Sequence, residues 1–162
     1  MTDPTLVVTK ADSSDSLLLK KLLNHYLYDM SEWFKFDPDP DGSFSYDLDE
    51  FWSSGHHIFI ARFGDSPVGI ALAQTIDDEF DLKEFFVLRR YPRGRVGQAF
   101  SAEVRDRLPG NWKVRVFTGN KPAVPFWKEV VSDYTHNKYF EDQLKTDGKS
   151  WIHFRFQSPV EQ

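Results

Sequence analysis

The stretch from Glu84 to Phe100, EFFVLRRYPRGRVGQAF, constrains the fold more than any other part of the sequence. Aromatic and β-branched residues at its start predict a strand, and apolar residues at helical spacing from Val96 to Leu108 predict a helix. Only a short Gly-bearing turn separates the two. A strand that passes through such a turn directly into a helix is typical of folds that combine a sheet with packed helices.

The same turn also predicts a site for an anion. Backbone N–H groups at a helix start are free to bind phosphate, and the positive end of the helix dipole lies behind them. Arg89, Arg90, Arg93 and Arg95 add four cations to this turn, although the chain as a whole has a net charge of −5. The alternative is that these arginines form an ordinary solvated charge run.

The remaining segments predict a mixed α/β (α+β) sheet. The clearest hairpin spans residues 56–75, where two β-rich runs flank Gly64-Asp65-Ser66-Pro67. Apolar residues at helical spacing between Asp12 and Phe34 predict a first helix after a short strand. Further strands are predicted at 81–88, 112–118 and 150–157 and further helices at 96–108 and 122–131, while 46–52 is expected to add a turn or two and 134–140 is left unassigned.

Composition limits the class of protein. A length of 162 residues suits one domain, so residues 1–162 are expected to form a single domain. The chain has no cysteine, which excludes disulfides and thiolate chemistry, and it has no apolar run of membrane-spanning length, so a cytoplasmic protein without a membrane partner is expected. The acidic net charge argues against nucleic acid as a partner.

Two features that suggest bound ions are interpreted as having other roles. Carboxylates at Asp37, Asp39 and Asp41 resemble a calcium loop, but the twelfth position, which needs a glutamate, is Leu48. The pair His56-His57 opens a strand, so its two side chains point to opposite faces. No metal site is therefore expected. The turn also lacks the P-loop spacing and the full dinucleotide fingerprint, which disfavours ATP and NAD.

The turn resembles the acetyl-CoA loop of the GNAT superfamily of N-acetyltransferases. That loop has the pattern Arg/Gln-x-x-Gly-x-Gly/Ala and follows a strand that typically ends in Val, with Tyr-Arg a few residues later. Aligned without gaps, Val87 and Tyr91 match the family and Gly97 takes the second Gly place. The resemblance extends in element order over essentially the whole chain.

The loop departs from the family pattern at two positions. Arg95 stands at the first Gly place and Pro92 at the Arg/Gln place, unless a slip of one residue pairs Arg93-Gly94 with the family's Arg-Gly. A second motif lies downstream, where NKPAVPFW resembles the family's Asn-x-x-Ala-x-x-Phe-Tyr. Its matching positions are Asn120, Ala123, Phe126 and Trp127, the last standing where the family has Tyr.

The resemblance implies a GNAT-like fold and an acetyltransferase. The fold is a mixed, largely antiparallel central sheet splayed between two central strands, with helices on both faces. The implied reaction transfers an acetyl group from acetyl-CoA to a primary amine of a small molecule or protein. The alternative is a catalytically silent acyl-CoA-binding or protein-interaction module with the same fold. The implied partners are acetyl-CoA and an amine acceptor, and a homodimer, common in the family, stays an open alternative to a monomer.

The resemblance also implies roles for individual residues. Backbone groups of the strand end would pair with the pantetheine arm, and amides of the turn would hold the pyrophosphate. The residues implied for acetyl-CoA binding are Phe86, Val87, Leu88, Arg93, Gly94, Arg95, Val96, Gly97, Gln98, Asn120, Ala123, Phe126 and Trp127. No metal is implied.

Catalytic candidates follow from the same alignment. Glu84 is the expected general base, with Asp81 as the alternative in the same strand; an ordinary solvent-facing residue is the other interpretation of Glu84. Many relatives protonate the leaving thiolate with the Tyr that Trp127 replaces, and Trp has no hydroxyl. Trp127 is expected to pack in the core or on the cofactor. Either Tyr134 or Tyr139 substitutes as the acid, the thiolate leaves without a protein acid, or the enzyme is impaired.

The resemblance also implies a role for the acidic segment after the first helix. In this family the segment between the first helix and the first hairpin lies over the acceptor side of the cleft. Residues 37–47, DPDPDGSFSYD, are therefore expected to act as a lid that shapes the acceptor pocket rather than to hold an ion.

Overall fold

A computed structural model describes residues 5–91 and 94–159 of the protein. Within these ranges the chain forms seven strands, three α-helices and two short 3-10 turns, the latter at Ser13–Asp15 and Asp49–Trp52. The strands are β1 Leu6–Lys10, β2 His56–Phe63, β3 Ser66–Ile76, β4 Glu79–Val87, β5 Gly110–Phe117, β6 Phe140–Thr146 and β7 Lys149–Ser158. The helices are α1 Ser16–Phe34, α2 Arg95–Arg107 and α3 Ala123–Thr135.

All seven strands belong to one sheet with the order β1-β2-β3-β4-β5-β7-β6. Every neighbouring pair is antiparallel except β4 and β5, which run parallel. A parallel pair needs a long crossover, and α2 supplies it between these two strands. The predicted mixed, largely antiparallel sheet is confirmed.

The sheet opens between its two central strands. β4 and β5 pair only from Glu79 to Leu82 against Asn111 to Val114. β4 continues to Val87 and β5 to Phe117, but the two strands do not pair with each other beyond this point. Beyond Leu82, the backbone groups of β4 that face β5 therefore have no strand partner, and the two strand ends border an opening through the sheet.

A β-bulge in β4 decides which side chains reach this opening. The register against β3 shifts between Leu82 and Glu84, which leaves Lys83 as an extra residue. Leu82 packs in the core formed with α2 and α3, and Phe85 packs there as well. A regular strand would place Glu84 on that same side. The bulge instead turns Glu84 towards α1.

Helices cover both faces of the sheet, as predicted. α1 buries Leu19, Leu22 and Leu23 against β2 and β3. On the opposite face, α2 and α3 bury side chains such as Phe100 and Val131 against the sheet. No helix in the described part of the chain is long and apolar enough to span a membrane.

One strand, β6, was not predicted. It begins at Phe140, the last residue of the unassigned stretch 134–140, and pairs with β7 as an edge strand. All seven of its residues are exposed. Without a buried face, β6 lacks the apolar alternation on which sequence-based strand prediction depends.

Candidate active site

A cleft of about 580 Å³ occupies the opening between β4 and β5. α1 and the segment that follows it form one wall, and the first turns of α2 and α3 form the other. A volume of this size lies within the usual range for small-molecule sites. The cleft contains both the start of α2 and the carboxylate of Glu84.

The start of α2 has backbone amides without helical partners. Gly94 precedes the helix with a φ of +96°, a conformation that favours glycine, and no side chain caps the helix. The amide of Gln98 makes the first helical bond, to the carbonyl oxygen of Gly94 at 2.7 Å. The amides of Arg95, Val96 and Gly97 thus have no acceptor within the helix. This is the arrangement that binds phosphate groups in proteins.

Close packing at this helix start requires a residue without a side chain. A Cβ added to Gly97 would lie 2.8 Å from Cζ of Phe126 and 3.1 Å from its Cε2. Gly97 therefore lets the Phe126 ring approach the first turn of α2. In this way the two motifs of the sequence analysis, one before α2 and one at the start of α3, meet in the structure.

The structure brings most of the predicted acetyl-CoA residues to the cleft and leaves others away from it. Arg95 is exposed and Val96 lies in the core, and neither lines the cleft; Gln98 does not line it either. Arg93 and Pro92 lie outside the described residues. The predicted residues that line the cleft are Phe86, Val87, Leu88, Gly94, Gly97, Asn120, Ala123, Phe126 and Trp127.

The backbone of Leu88 is less available than the alignment implies. Its amide donates to the carbonyl oxygen of Val68 at 2.8 Å, and its carbonyl accepts from the amide of Tyr91 at 3.1 Å. Backbone pairing with a ligand is therefore better placed earlier in β4, where the β5 side of the strand is open.

Trp127 is a packing residue in this structure. Its side chain is buried and stacks edge to face on Phe85 and on Phe126, with ring centroids 5.1 Å apart in each case. Asn120 lies nearby in the turn between β5 and α3, where its carbonyl accepts from the amide of Ala123 at 3.0 Å. These contacts fix the α3 wall of the cleft.

Glu84 lines the cleft from the opened part of β4, and two tyrosines hold its carboxylate. The hydroxyl of Tyr26 in α1 donates to Oε2, and the hydroxyl of Tyr46 donates to Oε1 at 3.2 Å. Burial raises the pKa of Glu84, and the two hydrogen bonds oppose that rise because they stabilise the charged form. The result is a fixed carboxylate with a pKa above its ordinary value.

Burial also raises the pKa values of both tyrosines, and the negative charge of Glu84 raises them further. Both therefore remain protonated donors through the neutral range. Neither was predicted as a site residue, although Tyr46 lies in the segment 37–47 that was expected to shape the acceptor pocket. Tyr26 lies among the apolar-spaced residues that predict α1, and Tyr46 lies in an irregular segment without a periodic pattern. No sequence signal links them to Glu84, since they are 58 and 38 residues away.

The other two catalytic candidates lie elsewhere. Asp81 is 2% exposed and does not line the cleft; its carboxylate pairs with Arg115 at 3.1 Å and with Lys113 at 3.8 Å. The hydroxyl of Tyr134 donates to Asp106 at 2.8 Å near the end of α3 and does not line the cleft. The hydroxyl of Tyr139 accepts from Ser132 at 3.3 Å, also outside the cleft lining.

The acidic segment after α1 uses its carboxylates to close its own turn. Oδ1 of Asp41 accepts from the amide of Ser43 at 3.0 Å and from its hydroxyl at 2.6 Å. Asp39 accepts from the hydroxyl of Ser45. The segment also contributes Phe36, Tyr46 and Glu50 to the cleft lining.

The sequence pattern of the Acetyltransferase (GNAT) family matches residues 24–131 of this chain. The matched region contains α1 from Asn24 onwards, the opened strands, the α2 turn and most of α3, which together form the cleft. No curated protein gives a match to the sequence.

Many solved structures share the fold. An acetyltransferase from Thermus thermophilus superposes with a TM-score of 0.71 at 15% identity, covering 97% of this chain and 99% of that one. A spermidine N-acetyltransferase from Vibrio cholerae, in complex with CoA and spermine, gives 0.66 at 10% identity, covering 94% and 95%. A ribosomal-protein alanine N-acetyltransferase from Escherichia coli gives 0.64 at 13% identity, covering 98% and 97%.

Proposed function

Because this chain belongs to the GNAT family of acetyltransferases, we propose that it transfers the acetyl group of acetyl-CoA to a primary amine of a small molecule or protein. One observation carries the proposal. A single cleft joins the free amides at the start of α2 to the carboxylate of Glu84, so a phosphate-bearing acyl donor and an amine can meet there.

The residues at the α2 end fit acetyl-CoA. Amides of Arg95, Val96 and Gly97 would hold the pyrophosphate, and open backbone groups of β4 would pair with the pantetheine arm. Phe126 and Trp127 would form the apolar wall beside it. When bound, acetyl-CoA supplies an activated acetyl thioester. The spermidine N-acetyltransferase from Vibrio cholerae, which shares this fold, was crystallised with CoA, and this supports the assignment.

Glu84 is the proposed general base. An acceptor amine is protonated at neutral pH and must lose a proton before it attacks the acetyl carbon. The raised pKa of Glu84 brings the carboxylate closer to the working pH, which improves its efficiency as a base. Glu84 accepts this first proton and passes it to solvent. As the new C–N bond forms and the C–S bond breaks, the nitrogen loses a second proton to Glu84.

Tyr26 and Tyr46 act as positioning residues for Glu84. Their hydroxyls donate to different oxygens of the same carboxylate, so both oxygens are fixed relative to the cleft. For the leaving sulfur we propose protonation by water. Trp127 has no hydroxyl to donate, and the hydroxyls of Tyr134 and Tyr139 do not line the cleft.

The proposal is tested by binding and turnover measured separately. We expect acetyl-CoA at 100 times its dissociation constant to stabilise the protein by roughly 2.7 kcal/mol, measured by thermal unfolding. We also expect CoA release over a panel of primary amines. Absence of any stabilisation would contradict the assignment of the cleft, and stabilisation without turnover on a broad panel would favour a silent acyl-CoA-binding module.

Substitution of the proposed base tests turnover separately from acetyl-CoA binding. Glu84→Gln keeps the size of the side chain and removes its basicity, so we expect kcat/KM to fall by about 10²–10⁴-fold while stabilisation by acetyl-CoA is retained. Glu103→Gln, which changes a carboxylate on the outer side of α2, is the matched control and should leave turnover unchanged. Full activity of Glu84→Gln would remove Glu84 from the mechanism.

A further inference from the structure

The acceptor side of the cleft is the side that faces α1. Glu84 turns towards α1 because of the bulge at Lys83, and it bonds there to Tyr26. On β5, the alternate residues Val114 and Val116 belong to the core with α2 and α3, so Phe117 faces α1. The ring of Phe34 in α1 stacks on Phe117 with centroids 4.7 Å apart, in agreement with this.

This side of the cleft is walled by aromatic rings. Phe117 pairs in register with Trp151 of β7, and their ring centroids lie 5.5 Å apart. Phe34 contacts both, at 4.7 Å and 6.0 Å, which fixes the three rings against one another. All three line the cleft. They form a preformed apolar wall in the same cleft as the proposed base, which we call the aromatic wall.

One aromatic residue beside the wall has no partner of its own. Trp33 lines the cleft and is partly exposed. Within residues 5–91 and 94–159, its ring contacts no other ring and its indole N–H makes no hydrogen bond. A large aromatic surface left uncovered inside a cleft is available to stack on a ligand.

The charges around the cleft nearly cancel. Among the described residues, its lining contains three carboxylates, Asp29, Glu50 and Glu84, and three cations, Lys83, Arg89 and Arg115. Arg89 pairs with Asp29 at 2.9 Å, and Arg115 pairs with Asp81, outside the lining, at 3.1 Å. The described lining residues left without an ion pair, Glu50, Glu84 and Lys83, carry a net charge of −1, and a ligand with several positive charges requires a larger excess of free carboxylates. One positive charge, placed at Glu84, suits it.

Building on the proposed acetyl transfer, we propose that the acceptor is an arylalkylamine, with one primary amine carried on a short chain from a flat aromatic group. The amine lies at Glu84, and the aromatic group lies between the aromatic wall and Trp33. Stacking on indole and phenyl faces recognises the ring, while the single excess negative charge suits one ammonium group and selects against polyamines.

The acceptor class is tested by comparing kcat/KM for five amines with acetyl-CoA as donor. The set is 2-phenylethylamine, tryptamine, hexylamine as an aliphatic match, spermidine as a polyamine, and tryptophan, which adds a carboxylate to tryptamine. We expect the two aryl amines to exceed hexylamine and spermidine by about tenfold or more, as ring stacking predicts. A preference for spermidine, hexylamine or tryptophan would overturn the inference.

Substitutions in the cleft test which residues recognise the aromatic ring. Trp33→Ala and Trp151→Ala should raise KM for 2-phenylethylamine by about threefold to tenfold, with little change in kcat or in the KM for hexylamine. Phe140→Ala removes an exposed ring from β6, outside the cleft lining, and should change neither value. Equal effects of the two tryptophan variants on both amines would contradict recognition of the ring.

Binding without turnover separates this inference from the proposed function. Calorimetric titration of the protein with 2-phenylethylamine, in the absence of acetyl-CoA, measures recognition alone. Binding that is weakened by Trp33→Ala supports the inference even if no amine is acetylated, in which case the proposed reaction fails. Acetylation of amines without preference for the aryl members leaves the reaction standing and overturns the acceptor class.

Discussion

Opposing effects determine the pKa of Glu84. Burial raises its pKa, whereas the hydroxyls of Tyr26 and Tyr46 and the nearby charge of Arg115 lower it. The two tyrosines differ in origin, since Tyr26 belongs to a buried helix face and Tyr46 to an irregular segment. The segment therefore contributes directly to the chemistry of the proposed base.

Removing one donor tests this balance. Tyr46→Phe deletes the hydroxyl but keeps the ring, so the charged form of Glu84 loses stabilisation and its pKa rises. Because the base acts when deprotonated, we expect the acidic limb of the profile of log kcat/KM against pH to move to higher pH. Tyr28→Phe changes an exposed ring on α1 and is the control. An unmoved limb in Tyr46→Phe would show that this bond does not tune Glu84.

At the scale of elements, the end of α1 and the segment after it form one functional unit. α1 ends at Phe34, and the next residue, Lys35, adopts a left-handed conformation with a φ of +58° and redirects the chain. The following segment is then attached to α1 by a bond from the amide of Phe44 to Oδ1 of Asn24 at 2.8 Å. This attachment lies upstream of Tyr46 and Glu50, which line the cleft.

Loss of this attachment should affect the acceptor more than acetyl-CoA. In Asn24→Ala the Phe44 amide loses its acceptor, and we expect KM for the amine to rise severalfold while stabilisation by acetyl-CoA stays the same. Since Ala favours helix, α1 itself should not be weakened. Asn24→Asp keeps an oxygen at the same place and should restore most of the wild-type value. Equal KM values in all three proteins would show that the attachment has no role.

At the scale of the whole molecule, α2, α3 and β7 meet at a buried arginine. Arg105 is 4% exposed and its guanidinium lies 3.8 Å from the ring centre of Tyr134. Its Nε donates to the carbonyl of Ser101 at 3.0 Å, whereas Nη1 makes no hydrogen bond within the described residues. Burial lowers the pKa of Arg105 to about 10. The charge is therefore costly to bury at this junction.

Arg105→Met fills a similar volume without a charge, so we expect the free energy of unfolding, from urea titration, to stay the same or rise by about 1 kcal/mol. Arg105→Ala should lower it by about 2 kcal/mol, because a cavity replaces the side chain. The pKa of Arg105 is depressed in the folded state. The cost of burying its charge therefore lowers the free energy of unfolding in full below about pH 10 and diminishes as pH rises above that value. A clear loss in Arg105→Met would show that Arg105 stabilises the junction.

Much of the architecture could be predicted from local patterns. The strand, turn and helix around the α2 start were predicted because apolar periodicity and glycine placement act over a few residues. β6 was missed because an edge strand with every residue exposed has no buried face to leave a pattern. Two motifs predicted the residues of the proposed acetyl-CoA site, and most of them line the cleft, although Val96 is a core residue and the Leu88 backbone is already bonded.

Apart from β6, the order of elements, the glycine turn before α2 and the family could be predicted from the amino-acid sequence, since each depends on residues that are neighbours in the chain. The surroundings of Glu84 instead depend on the folded chain. The face of the sheet on which Glu84 lies is determined by the bulge at Lys83 in the pairing with β3. Its hydrogen-bond partners, Tyr26 and Tyr46, come from segments that are distant in the sequence. The same folding assembles the aromatic wall from α1, β5 and β7. Register and long-range packing are properties of the folded chain, so no local pattern encodes them.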